Sequence, residues 1–217
     1  GQVIEADSIL IASVIQECGG IPRVLPPVVD TEANIQEVVL TESSHCDLLI
    51  LIGGIGKRGA RYGDYVVSTI QKIGRIILQG VQIAPGGTNL LFAEVNGTCV
   101  MGIPGPPHGA LMVTEQFLPP IIEQFLHCPC WERQEIEVVL GADFTSQGKT
   151  PYLARPALHW NGRDYEMTPL RPGDTVDGFI NGSAVAVLSS QNTACHKGDR
   201  MRVQLIYSER ENRQYTY

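Results

Sequence analysis

Apolar and polar positions alternate with two different periods along this chain, and the change of period divides it. From Asp7 to about Cys18, Leu10, Ile11, Val14 and Ile15 recur at helical spacing, and Gly19-Gly20 closes the pattern. Asp7 or Ser8 can cap that helix. Arg23 to Leu25 reads as a strand closed by Pro26-Pro27, and Asp30-Thr31 can cap a second helix carrying Ile35, Val38 and Val39. Leu48 to Ile52 is continuously aliphatic, the signature of a strand buried on both faces, as in a parallel sheet. A helix from Asp64 to Ile73 follows, with Val66, Val67, Ile70 and Ile73 on one side, and Gly74 stops it. Arg75 to Ile83 is extended. Leu90 to Val95 and Thr98 to Ile103 flank Asn96-Gly97, a strong hairpin signal. His108 to Phe117 is helical, and Pro119-Pro120 can start a last short helix reaching Leu126. Alternating strands and helices predict an α/β domain over residues 1–130, a three-layer arrangement on a mainly parallel sheet.

After Cys130 the period shortens. Glu135 to Leu140, Tyr152 to Leu158, Asp164 to Met167, Phe179 to Leu188 and Met201 to Tyr207 are strand-like. Asn161-Gly162, Pro172-Gly173 and Asn181-Gly182 separate them. Residues 131–217 therefore predict a small all-β domain, a barrel or sandwich, with the boundary near 127–134.

Composition narrows the function classes. The chain has 217 residues and a net charge of −7, which argues against general affinity for nucleic acid or anionic membrane. No apolar run reaches the roughly 20 residues that span a bilayer. Six Cys are scattered, mostly in apolar segments, which suits reduced thiols and a cytoplasmic setting. Cys128-Pro-Cys130 is the one close pair, and its spacing is not a usual zinc pattern. The start has no signal-peptide pattern, and the first residue is Gly rather than Met, which admits a longer parent chain.

Against that acidic background Gly53-Gly54-Ile55-Gly56-Lys57-Arg58 stands out, followed by Arg61. A strand, a glycine-rich turn and a helix start can converge main-chain amides on an anion, with the helix dipole favouring negative charge. The alternative is a plain βα turn whose cations face water. Gly54-x-Gly56-x-x-Gly59 formally fits a dinucleotide fingerprint, but the acid expected about 20 residues later is missing, since that region reads Lys72 to Arg75. Asp64 beside this loop can hold Mg²⁺ or cap the helix. Glu5 and Asp7 pose the same choice before the first helix. The loops Pro85-Gly86-Gly87-Thr88 and Pro104-Gly105-Pro106-Pro107 are expected near the same crevice, with His108 and Asn89 as further polar candidates.

Taken in order, residues 1–8, the Gly53 loop, Gly63-Asp64-Tyr65, Pro85 to Gly87 and Ile103 to Pro107 resemble the C-terminal half of the MoeA-type molybdopterin molybdenumtransferases, the relatives of gephyrin. The resemblance implies a molybdopterin-binding α/β domain followed by a C-terminal β-barrel. It implies molybdenum cofactor biosynthesis: molybdate enters the dithiolene of adenylylated molybdopterin, AMP leaves, and Mg²⁺ assists. Under it, Glu5 and Asp64 are the catalytic and metal-binding acids. Gly53 to Arg58, Pro85 to Thr88 and Pro104 to Pro107 hold the ligand, and the protein is a cytoplasmic homodimer. Departures from the family pattern are plain. Ile52 replaces a Ser, Gly87 replaces a Lys, Pro106 replaces an Asn, and Glu5 and Asp7 stand where Asp and Asn are usual. A non-catalytic molybdopterin-binding module, such as a sensor, carrier or scaffold, is the alternative reading. A nucleotide phosphohydrolase on a related domain is a third.

Overall fold

The structure is a computed structural model, and it describes residues 5–56, 64–129, 133–145, 150–168, 181–188 and 194–206. The chain divides into two compact units, Gly1–Trp131 and Glu132–Tyr217.

The first unit runs α1 (Asp7–Glu17), α2 (Glu32–Glu42), β1 (Leu48–Ile52), α3 (Val66–Ile73), β2 (Arg75–Gln79), β3 (Leu91–Val95), β4 (Thr98–Ile103) and α4 (Pro107–Leu126). Its sheet has the order β1-β4-β3-β2. Only β1 and β4 pair in parallel; β4 with β3 and β3 with β2 are antiparallel. The sheet described is therefore mixed, a correction to the mainly parallel expectation. The cause is local. Asn96 and Gly97 both take positive φ, at 53° and 82°, the tight turn that folds β3 back on β4.

Alternate side chains of β1 enter two different cores. Leu48 and Ile50 pack with Ile11 and Val14 of α1, Val113 and Leu118 of α4, and Met101 and Ile103 of β4. Leu49 and Leu51 pack with Ile35 and Val39 of α2, Val66 and Ile70 of α3, and Ala93 and Val100. α1 and α4 thus serve one face of the sheet, α2 and α3 the other.

The helix ends follow capping chemistry. Thr31 accepts the Asn34 N–H at 3.3 Å and caps α2. Gly19, with φ +85°, ends α1, its N–H on the Gln16 carbonyl and that of Gly20 on the Ile15 carbonyl. Two sequence expectations fail. Arg23 to Leu25 forms no strand among the described residues. The chain also does not break at Pro119-Pro120, since α4 runs unbroken through both. Each Pro removes an intrahelical donor, but Leu118 and Ile122 on either side are buried, and that burial offsets the loss.

The second unit holds β5 (Glu135–Leu140), β6 (Phe144–Thr145), β7 (Tyr152–Ala154), β8 (Ala157–Trp160), β9 (Tyr165–Thr168), β10 (Ala184–Leu188), β11 (Ala194–Cys195) and β12 (Arg200–Leu205). Six strands pair in the order β7-β10-β12-β5-β9-β8, and β11 pairs with β6 apart from them. Val138, Leu140, Met167, Ala186 and Val203 build its core. The described pairings do not join β7 to β8, so closure into a barrel lies beyond what they show. Pro172-Gly173 lies outside the described residues.

Candidate functional site

Parallel pairing of β1 and β4 brings their C-terminal ends together, with Ile52 beside Ile103. The two turns that leave these ends therefore run side by side. Gly53 and Gly54 have φ of +80° and +66°, a conformation that glycine adopts without steric penalty. A side chain on Gly53 would point at Gly105 Cα, 3.9 Å from its Cβ position. The Gly53 N–H donates to the Ile103 carbonyl at 2.9 Å, so this amide belongs to the sheet and not to a ligand. The Gly54 carbonyl accepts the Val66 N–H at 3.1 Å, which ties the turn to the start of α3. The Ile55 side chain is buried against Gly102 and anchors the loop in the core.

The Pro104 turn feeds α4. Pro104 is buried, whereas Gly105, Pro106 and Pro107 are exposed. Pro106 is the N-cap and Pro107 the first helical residue, so two of the donors that a helix start usually offers are missing here. His108 follows in the first turn, half-buried. The third loop closes on the same helix end. Gly86 has φ +86°, and its Cβ position lies 2.7 Å from the Gly109 carbonyl oxygen and 2.8 Å from Gly109 Cα. Gly86 is thus pressed against the first turn of α4. Gly87 is buried, while Thr88 is exposed and borders a small cleft with Gln79 and Gln82.

A cavity of about 910 Å³ opens beside these turns. Gly53, Gly54, Gly105 and Pro107 line it, together with Glu5, Asp7 and Asp30. Glu5 accepts hydrogen bonds from the Ser8 N–H at 2.8 Å and the Ser8 hydroxyl at 2.5 Å. The Ser8 hydroxyl bond is the main reason its carboxyl is held below the usual range. In this geometry Glu5 does the work of a cap for α1. Asp7 is buried, and burial, with a smaller contribution from the Glu5 charge, pushes its carboxyl up. Asp30 reaches the glycine turn, its Oδ1 3.6 Å from the Gly54 Cβ position. Sequence reasoning placed Asp30 only at a helix start. The signal that could have found it is the extended Pro26-Pro27 segment, which brings Asp30 to the end of the sheet.

Asp64 sits differently. Its carboxylate lies over Gly56, with Oδ1 2.6 Å from the Gly56 Cβ position. α3 begins at Val66 with no side-chain cap, so Asp64 has no capping role. It does not line the cavity that Glu5 lines. The structure therefore groups the Gly53 and Pro104 turns with Glu5, and the Pro85 loop with the start of α4. Asp64 stands at the far side of the glycine turn. Lys57, Arg58 and Arg61 lie outside the described residues.

Residues 1–124 match the family model described as a probable molybdopterin binding domain. A molybdopterin molybdenumtransferase of Haemophilus influenzae is 24% identical over 135 residues, which is 61% of this chain and 32% of that protein. A Mycobacterium tuberculosis molybdopterin molybdenumtransferase 2 is 26% identical over 165 residues, covering 70% of this chain and 38% of its own. Among solved structures, the MoeA protein of Pyrococcus horikoshii superposes with a TM-score of 0.77 at 18% identity, covering 95% of this chain and 49% of that one. A molybdenum cofactor biosynthesis protein of Pyrococcus furiosus gives 0.69 at 16% identity, covering 93% and 64%. The chain spans about half or less of the length of the curated relatives it matches.

Proposed function

The chain belongs to the molybdopterin-binding domain family and has a MoeA-type fold, and on that premise we propose that it acts in molybdenum cofactor biosynthesis. The reaction we assign is insertion of molybdate into adenylylated molybdopterin with release of AMP. One observation carries the reading. The turns after β1 and β4 meet at one cavity whose rim also holds the carboxylates of Glu5, Asp7 and Asp30.

In this proposal the main chain of Gly54, which lines the cavity, contacts the ligand's phosphate, and the loop continuing through Ile55 and Gly56 holds it in place. Gly105, exposed on the cavity, provides a surface with no side chain against which a flat or extended ligand can lie. Among the described residues no group of three or more His, Cys, Asp or Glu side chains could hold a metal ion. A divalent cation would take at most one or two carboxylates from the described residues, as Mg²⁺ commonly does. Asp64, with no cap to make, would supply its carboxylate; Glu5, committed to Ser8, is the weaker candidate. Bound there, Mg²⁺ would polarise the pyrophosphate. Pro106 offers neither the side-chain amide nor the backbone donor usual at that position, so Gly105 and the first turn of α4 must orient the ligand by shape. The reading includes a homodimer in the cytoplasm and a second unit that completes a barrel.

The test is turnover. The chain is supplied with adenylylated molybdopterin, molybdate and Mg²⁺, and AMP release is followed. Release that Asp64→Asn reduces at least tenfold, a barrier increase of about 1.4 kcal/mol, supports the assignment. Binding without AMP release rejects the enzyme for this chain and leaves a molybdopterin-binding module.

A further inference from the structure

The turn between β8 and β9 holds a side chain that can react with its own main chain. Asn161-Gly162-Arg163-Asp164 joins the two strands directly after the pair Trp160 and Tyr165. The Asn161 N–H donates to the Asp164 carbonyl at 3.1 Å. The Asn161 side chain folds back on the turn, and its Oδ1 accepts both the Arg163 N–H and the Asp164 N–H, each at 2.9 Å. The first of these bonds closes an Asx turn, which curls the side-chain carbonyl over the nitrogen of the next residue. That residue is Gly162, with φ +96° and nothing within 4 Å of its Cβ position. Among the described residues its N–H has no hydrogen-bond acceptor.

An amide nitrogen is a poor nucleophile and a carboxamide a poor electrophile, so an Asn side chain normally persists. Here glycine leaves the nitrogen open to approach. Two main-chain donors already face the oxygen on which charge develops when Asn161 Cγ becomes tetrahedral. Donors about 2.7–3.1 Å from such an oxygen are the geometry of an oxyanion hole. Holding the carbonyl close to the nitrogen also removes part of the ordering cost of the attack. The Asn96-Gly97 turn lacks this arrangement. The Asn96 side chain reaches away from its own main chain, its Nδ2 donating to the Ser43 hydroxyl at 3.5 Å. Among the described residues no main-chain amide donates to its Oδ1.

We propose that Asn161 is a self-modification site, deamidated by attack of the Gly162 nitrogen on its Cγ. The new N–Cγ bond forms as the Gly162 N–H proton passes to water. The Cγ–Nδ2 bond then breaks, and Nδ2 takes a proton from water and leaves as ammonia. Water opens the resulting five-membered succinimide at either carbonyl, so the sum is one amide and one water giving one carboxylic acid and one ammonia. The two products differ in consequence. Aspartate keeps the acceptor in place and, being charged, holds both donors more strongly. Isoaspartate adds one carbon to the main chain inside a turn that sets Trp160 opposite Tyr165 and Asp164 Oδ1 3.2 Å from the Arg200 guanidinium. One turn of the second unit therefore has a preserving outcome and a disrupting one.

The whole chain is incubated at mildly alkaline pH in water enriched in heavy oxygen, and peptide mapping by mass spectrometry follows the label entering Asn161 and Asn96. The reference is the free peptide Leu-His-Trp-Asn-Gly-Arg-Asp-Tyr-Glu, residues 158–166, in which no strand pairing holds the turn. Asn161 in the folded chain converts at least about threefold faster than in the peptide, and faster than Asn96. Arg163→Pro removes one of the two donors and lowers the folded rate to that of the peptide, with the circular dichroism intact. The proposal is overturned by any of three results. Asn161 converts no faster in the folded chain than in the peptide, which would make the turn protective. Asn96 converts as fast as Asn161. A folded Arg163→Pro variant keeps the parent rate. Should that variant fail to fold, the comparison of chain with peptide decides by itself.

Discussion

Gly86→Ala tests the packing that holds the Pro85 loop on α4. Two separate penalties are expected. Gly86 has φ +86°, where an Ala side chain meets local strain of about 1–2 kcal/mol. The new methyl would also lie 2.7–3.0 Å from the O, Cα and C of Gly109. These are backbone atoms of a 20-residue helix anchored by buried Leu111, Leu118 and Ile122, so they cannot swing aside. Overpacking against such a wall adds about 1–3 kcal/mol. The sum is about 2–5 kcal/mol. Gly97→Ala is the control in the same unit: its φ is +82°, but nothing lies within 4 Å of its Cβ position, so it carries only the strain. α1–α4 all belong to the first unit, so ellipticity at 222 nm in urea reports on it. With a slope of about 2 kcal/mol/M, Gly86→Ala lowers the midpoint by about 1–2.5 M and Gly97→Ala by at most about 1 M. If the two variants unfold at the same urea concentration, the close approach of the Pro85 loop to α4 is wrong, and with it the convergence of the third loop.

Three further outcomes follow from single residues. Asp7→Asn stabilises the protein near neutral pH. The folded-state carboxyl of Asp7 is raised above its usual value, so ionisation opposes folding as pH climbs from the unfolded value through the folded one; urea midpoints should separate in that window and merge below it. Gly56→Ala drives a methyl into the Asp64 carboxylate, and calorimetry should show Mg²⁺-dependent ligand binding weakened several-fold, about 1 kcal/mol, with little change in melting temperature. Leu118→Ala leaves a hole between the two turns of α4 that meet at Pro119-Pro120, and costs about 2–5 kcal/mol by urea titration.

Much of the fold was legible because it rests on local chemistry. The Asn96-Gly97 turn, the Thr31 cap and the Gly19 helix end each need only a few neighbouring residues, and each formed where the pattern placed it. Elements decided by tertiary contact were not legible. Whether Pro119-Pro120 breaks a helix depends on what Leu118 and Ile122 bury against, and no local signal states that. Arg23 to Leu25 has strand-like residues but pairs with no strand among the described residues, so propensity alone could not decide it. At the site, the glycine positions were readable as turns, but the uses of their amides were not. The Gly53 N–H turned out to complete the β1–β4 ladder, and Ile55 packs inward on Gly102. Asp30 was hidden for the opposite reason: a capping residue by sequence, it becomes a cavity residue only through the path of segment 21–28.

The charges around the cavity set the conditions under which an anion can enter. Its described lining carries Glu5, Asp7, Asp30 and Asp47 against Arg23, and Arg23 is paired with Glu42. A phosphate ester approaching such a rim is repelled by about 1 kcal/mol per carboxylate at 4 Å in water, and by more where solvent is excluded. Backbone dipoles from a short glycine turn do not outweigh several such terms. A divalent cation held by a carboxylate there would reverse the sign. The expected outcome, with AMP as probe, is negligible binding by calorimetry without Mg²⁺ and measurable binding with it. Added salt should leave the Mg²⁺-free affinity unchanged or slightly improved, because screening at 0.1 M acts over about 10 Å and here weakens repulsion. Tight Mg²⁺-free binding that falls steeply with salt would refute this reasoning, and would assign the anion to Lys57, Arg58 and Arg61 in place of a bridging cation.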